Sequence, residues 1–215
     1  MARLELERNP TTISSWVIYD MANTMFSAGT MFSAGVVGLV FPLWVISHSG
    51  GDDATVGYTL TVAMTLVFFL SPLVGFLSDR LKRRMPFLLV LTLCWIVSTV
   101  LIGTWGLKLS LLLVVTALVF IQLANIFYNG LLGDLSTNGN AGLIGGMGVG
   151  LGYIGAITAV GMSILLLEDD GHVNLFRLMG FCSLVFTTPL LVAGRYRISM
   201  TMDRYLLKYS LKHFD

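Results

Sequence analysis

The stretch Gly75-Phe76-Leu77-Ser78-Asp79-Arg80-Leu81-Lys82-Arg83-Arg84 decides the fold. It is a dense basic turn between two long apolar runs, 55–78 and 86–104. Residues 80–84 hold four cations in five positions, and each would cost about 2.5–3.5 kcal/mol inside hydrocarbon. The turn therefore belongs at a membrane surface. Its charge marks that surface as cytoplasmic, and the remaining segments can be counted outward from it.

Composition agrees with this starting point. Hydrophobic residues make up 55% of the 215-residue chain, charged residues 12%, and the mean hydropathy is +0.82. Soluble domains carry about 25% charged residues, so this chain has too little polar surface to coat itself in water. An all-α integral membrane protein is expected. The net charge of +1 comes from cations grouped at segment ends, which gives no nucleic-acid stripe. Cys94 and Cys182 stand alone in apolar runs, and the polar start is unlike a signal peptide.

Six apolar segments follow in order, at about 15–46, 55–78, 86–104, 109–132, 141–167 and 173–194. They make a six-helix transmembrane domain over 15–194, between an N-terminal segment, 1–14, and a basic tail, 195–215. The first run is longer than the roughly 20 residues a bilayer needs, so it should tilt, bend or project. With this count 11 of the 13 Lys and Arg fall on one side, leaving Lys108 opposite and Arg177 inside segment six. The positive-inside rule then puts both termini in the cytoplasm. In the tail Ile198, Met202, Tyr205, Leu206 and Tyr209 recur at helical spacing, and Arg197, Arg204, Lys208 and Lys212 gather on another face. Either an amphipathic helix on the anionic inner leaflet or a fraying end fits that pattern.

The basic turn resembles the loop motif of the major facilitator superfamily, G-x-L-A-D-R-x-G-R-R, which joins its second and third transmembrane helices. Gly75, Leu77, Asp79, Arg80, Arg83 and Arg84 match, while Lys82 replaces a glycine. Two further stretches are similar to the UMF1 and Atg22-like group: Ser15-Trp16-Val17-Ile18-Tyr19-Asp20-Met21-Ala22-Asn23-Thr24 with Phe41-Pro42-Leu43-Trp44, and Phe127-Tyr128-Asn129-Gly130-Leu131-Leu132-Gly133-Asp134-Leu135 with Gly150-Leu151-Gly152-Tyr153-Ile154-Gly155. The resemblance implies a transporter of small solutes, amino acids first among them. It implies a cytoplasmic gate at Gly75, Asp79, Arg80, Arg83 and Arg84, with Asp79 latching a partner half. Complete members have twelve spans in two six-helix halves, so this chain is expected to supply one half. A separately encoded half or a second copy would complete it.

One departure from the resemblance stands in segment one, where Thr24-Met25-Phe26-Ser27-Ala28-Gly29 recurs as Thr30-Met31-Phe32-Ser33-Ala34-Gly35. Six added residues lengthen a helix by about 9 Å and turn its far end by about 240°.

Several residues are candidates for the substrate pathway. Asp20 is a carboxylate within an apolar segment, which marks a proton-coupling or gating group. The plainer reading has it at interface depth, paired with Arg80 or Arg84. Asn23 shares its helical face. Gln122, Asn125 and Asn129 form one polar stripe on segment four, with Tyr128 beside it. That stripe serves either solute contact or interhelical hydrogen bonds. Arg177 either anchors a substrate carboxylate or snorkels towards Glu168, Asp169 and Asp170.

Gly142, Gly146, Gly150 and Gly152 are expected to let helices approach closely, and the G-x-G-x-x-G match at Gly150 lacks the strand a nucleotide site requires. His48, Asp52 and Asp53 are too loose a set for a metal. No cofactor is implied, though a coupling proton or ion is compatible with the pathway. No catalytic constellation is present, so an enzyme is not expected. The expected partners are the lipid bilayer, a small solute and a second bundle, with the plasma membrane the expected location. The competing reading is a truncated or regulatory membrane protein with no transport of its own.

Overall fold

The structure, a computed structural model, describes residues 10–26, 38, 40–80, 84–136, 139–166 and 172–211; of residues 10, 48, 166 and 194–211 it describes the backbone only. Expectations resting on residues 1–9, Lys82, Arg83, the repeat beyond Phe26, Glu168, Asp169, Asp170 and the side chains of the tail lie outside the described residues.

Seven helices follow one another among those residues: α1 Pro10–Phe26, α2 Phe41–His48, α3 Asp53–Arg80, α4 Met85–Leu101, α5 Leu107–Leu135, α6 Ala141–Leu166 and α7 His172–Leu211. The first apolar run thus contributes two helices. Four stretches are long and apolar enough to cross a bilayer: Asp53–Arg80, Leu107–Leu135, Ala141–Leu165 and His172–Ala193. Helix α4 is apolar but only 17 residues long, at the short end of the spanning range.

Two apolar layers hold the helices together. One contains Trp16, Val17 and Tyr19 of α1, Met85 and Leu88 of α4, Ala124 to Leu135 positions of α5, Ile144 of α6 and Leu190 of α7. The other contains Ala22, Met25 and Phe26, then Trp95 and Ile96, Val114 to Ile121 positions of α5, Ala159, and Leu175 to Met179 positions of α7. Chain order through the two layers gives each helix its direction. Helices α1, α4 and α6 leave the layer next to the basic turn, whereas α5 and α7 enter it. Helix α3 also descends, from Val56 and Ala63 in the far layer to Val74 beside the near one. Consecutive helices from α3 to α7 therefore alternate in direction.

Helix α1 packs mainly on α6 and α7, α5 on α3 and α4, and α4 on α7. Only 6% of the apolar stretch of α3 is buried, against 50% for α5. Tyr58, Phe68, Phe69, Leu73 and Phe76 of α3 are exposed, an apolar face that water does not tolerate and a bilayer does.

Hydroxyls within these helices are satisfied locally. Thr59, Thr61, Thr65, Ser98, Thr99 and Ser163 each donate to the carbonyl four residues back, at 2.7–2.8 Å. Such bonds let polar side chains sit in hydrocarbon without a water partner. The short link between α4 and α5 turns on Gly103 and Gly106, at φ 81° and 82°, a conformation that favours glycine. Ser110 braces it, accepting from Gly103 N at 2.9 Å and donating to Gly106 O at 2.8 Å.

Asp52 caps α3. Its Oδ1 accepts from Thr55 N at 2.8 Å and from the Thr55 hydroxyl at 2.6 Å, satisfying an otherwise open helix terminus. These bonds, the hydroxyl one first, hold the Asp52 carboxyl below its ordinary value of 3.8. Its contribution is therefore present above that value and is lost as pH falls through the lower folded-state value. The unfolding midpoint of Asp52→Ala in detergent should lie below wild type near neutrality, and the difference should close in strong acid. A difference that persists there would show that the cap acts without its charge.

Candidate functional site

Asp20 lies between the two apolar layers. On α1 it falls between Tyr19 of the near layer and Ala22 of the far one. The same boundary runs through Thr92 on α4, Gln122 on α5, Gly152 on α6 and Thr187 on α7. Asp20, Thr92 and Thr187 are buried. A polar belt thus crosses the middle of the bundle.

Aromatic rings fasten α1 to α5 below that belt. Trp16 stacks on Tyr128 with centroids 4.4 Å apart and planes 3° from parallel. The Trp16 indole donates to Tyr128 O at 3.1 Å, and the Tyr128 hydroxyl donates to Trp16 O at 3.2 Å. Each residue thereby finds a partner for its one polar handle. Tyr19 also stacks on Tyr128, at 4.9 Å, and its hydroxyl pairs with the Thr92 hydroxyl at 2.8 Å. Helices α1, α4 and α5 meet there.

Asp20 has neutral company. Asn23 Nδ2 donates to its Oδ1 at 3.4 Å, and the Tyr128 side chain interacts with the same carboxyl. Arg84 is engaged elsewhere, so the plainer sequence reading, in which Arg84 pairs with Asp20, is not what the side chains do. One turn along each helix, Asn23 Oδ1 and Asn125 Oδ1 are buried with no hydrogen-bond donor. Asn125 Nδ2 reaches Gln122 Oε1 at only 3.5 Å. Of the α5 stripe, Gln122 and Asn125 are partly buried and Asn129 is exposed. Arg177 is exposed near the start of α7, 3.5 Å from Asn174 Oδ1, apart from the belt.

Helix α6 closes the belt with glycines. A Cβ at Gly148 would meet the Trp16 ring at 2.9 Å, and one at Gly152 would lie 2.7 Å from both Asp20 Oδ2 and Thr24 Oγ1. One at Gly155 would strike the backbone carbonyl of Met21. The seam within the chain is thus Gly148, Gly152 and Gly155. Among the described residues a Cβ at Gly142, Gly146 or Gly150 would meet nothing within 4 Å, so of the expected packing glycines only Gly152 touches a neighbouring described helix. Both rows are small-residue rows at helical spacing, and only the position of α1 tells them apart.

At the near end of the bundle Arg84 ties the start of α4 to the ends of α3 and α5. It donates to Gly130 O at 2.6 Å, Asp134 Oδ2 at 3.2 Å and Ser78 O at 3.3 Å, and lies 3.7 Å from Asp79 Oδ1. Arg80 sits over the Phe76 ring at 4.3 Å. The Asp79 side chain is 84% exposed, and among the described residues nothing crowds Gly75. Among the described residues no group of His, Cys, Asp or Glu is placed to hold a metal.

Sequence reading named Gly148 only as a neighbour of the Gly142, Gly146 and Gly150 row, and gave no site role to Thr24, Tyr19, Thr92, Gly155 or Asp134. Thr24 carried a usable signal, standing four residues from Asp20 on the same helical face. Asp134 carried another, as an acid at the end of a segment that returns to the basic side.

These features define a helical membrane-protein bundle with a polar belt at mid-depth. Over 166 residues, 72% of the chain, it is 29% identical to an uncharacterized MFS-type transporter, YxiO of Bacillus subtilis, and the match takes in 37% of that protein. Over 178 residues, 81% of the chain, it is 28% identical to an uncharacterized protein of Aquifex aeolicus, matching 45% of it. In both cases less than half of the relative is matched. No protein-family model and no solved structure matches the chain.

Proposed function

We propose that this chain is one six-span bundle of a membrane transporter for small solutes, with both termini cytoplasmic. Alternating access would be completed by a second bundle, supplied by further sequence, a separate chain or another copy. The observation that carries this reading is the buried carboxylate of Asp20 in a polar belt at mid-depth. Buried ionisable groups within membrane spans are costly and are kept where solutes or ions pass. Transporter sites also lie near mid-membrane. Likeness to an MFS-type transporter supports the same reading. Amino acids are the substrate class proposed, from the resemblance of the Asp20 and Tyr128 stretches to the UMF1 and Atg22-like group. The exposed Asp79 is proposed to latch the second bundle at the cytoplasmic side.

The test is uptake of labelled amino acids by proteoliposomes containing the full chain. Uptake above protein-free vesicles is expected, and Asp20→Asn should lower it at least tenfold, about 1.4 kcal/mol or more in the transport step. Uptake no greater than that of empty vesicles, for every amino acid tried, would count against transport by this chain.

A further inference from the structure

Among the described residues the carboxylate of Asp20 has no positive side chain to balance it. No Lys or Arg occurs between Arg8 and Arg80, or between Lys108 and Arg177, and Arg84 is held by Ser78, Gly130, Asp134 and Asp79. A charge so placed needs a proton or a positive partner.

Three oxygen-bearing side chains share this face of α1: Asp20, Asn23 and Thr24, at i, i+3 and i+4. Asp20 Oδ2 and Thr24 Oγ1 converge on one spot of α6, each 2.7 Å from where a Gly152 side chain would begin. Asn23 Oδ1 is buried and accepts nothing, because its amide is turned to give Nδ2 to Asp20. A half-turn of that amide exchanges NH₂ for carbonyl and presents a third oxygen.

We infer that Asp20, Asn23 and Thr24, closed off by Gly152, bind a single positive charge. The occupant is an alkali ion of sodium size or the ammonium group of a small solute, and the proposal rests on the transport reading above. An all-oxygen set suits a hard cation. One carboxylate balances one charge, so a divalent ion would remain uncompensated. With the amide turned, a proton on Asp20 would also be donated to Asn23 Oδ1, but it would engage those two groups alone, whereas a coordinated cation or an ammonium group draws on Thr24 Oγ1 as well.

The test is thermal unfolding of the full chain in detergent, with sodium chloride, potassium chloride or methylammonium chloride replacing N-methyl-D-glucamine chloride at constant ionic strength. A saturable rise with sodium or methylammonium is expected, of about 5–10 °C at a hundredfold excess over half-saturation. Asp20→Asn should abolish it, and Thr24→Val, which keeps the volume, should raise the half-saturating concentration about tenfold. Asp53→Asn, at the exposed start of α3, should keep the full response. Sodium alone would assign an ion site, and methylammonium alone a site for the solute's amine.

No response to any of these cations, or one that survives Asp20→Asn, overturns the proposal. Should Asp20→Asn fail to fold, an unchanged half-saturation in Thr24→Val overturns it equally. Binding is read without flux. Absence of uptake with an intact cation response therefore sinks only the transport reading, and uptake with no cation response sinks only the site.

Discussion

Gly155→Ala is expected to unseat α1 from α6 and lower the unfolding midpoint in detergent by about 5–10 °C. The added Cβ would fall on the backbone carbonyl of Met21, which cannot swing aside as a side-chain tip can. Overpacking of this kind costs roughly 1–3 kcal/mol, and a rigid target puts the change at the upper end. A domain of this size loses about 2–4 °C per kcal/mol. Gly146→Ala and Gly150→Ala are the controls, because a Cβ there meets nothing and alanine is the better helix former by about 1 kcal/mol. They should leave the midpoint unchanged or raise it. Equal losses at all three positions would mean that α1 does not run along the Gly148, Gly152 and Gly155 seam. Controls that fold normally yet abolish uptake would place the second bundle on the free glycine row.

That contrast shows where sequence reading reaches its limit. The helical membrane class was legible, because a chain with 12% charged residues and long apolar runs has no soluble alternative. The break at the basic stretch was legible too, since α3 ends at Arg80 and α4 begins at Met85. Which face of α6 meets α1 was not. In water the buried face of a helix is apolar and the other polar, so periodicity reveals it. In lipid both faces are apolar, and Gly142, Gly146 and Gly150 look as good a seam as Gly148, Gly152 and Gly155. The depth of Asp20 was not legible for a related reason. Its depth depends on how α1 is shifted along its neighbours, and that register is set by the Trp16–Tyr128 stack and the Tyr19–Thr92 bond, contacts more than seventy positions apart in the chain. The aromatic residues were visible in the sequence, but their pairing was not.

Arg84 offers the second large effect, and it separates two roles of the basic turn. If the turn serves only through its charge, Arg84→Lys should behave as wild type, because the positive-inside count is unchanged. The geometry argues otherwise. The Arg84 side chain is 20% exposed, and its shortest bond, 2.6 Å, goes to Gly130 O. Charge-assisted bonds of this kind are worth about 1.5–3 kcal/mol, whereas the partner carboxylates, 42% and 84% exposed, add at most about 1 kcal/mol. Arg84→Met should therefore lower the unfolding midpoint by about 4–10 °C. Among the described residues Arg80→Met loses only an exposed contact with Phe76, worth about 0.5–1 kcal/mol, and should shift it by no more than about 4 °C. Lysine at 84 keeps a charge but not the planar fork that reaches Gly130, Ser78 and Asp134 together. It should recover less than half of the loss. The backbone around Gly130 leaves room for that fork, since a Cβ there would crowd the guanidinium at 3.1 Å, so Gly130→Ala should reproduce part of the Arg84→Met effect with every charge intact. Full recovery by lysine, with Gly130→Ala neutral, would reduce the turn to a topological marker.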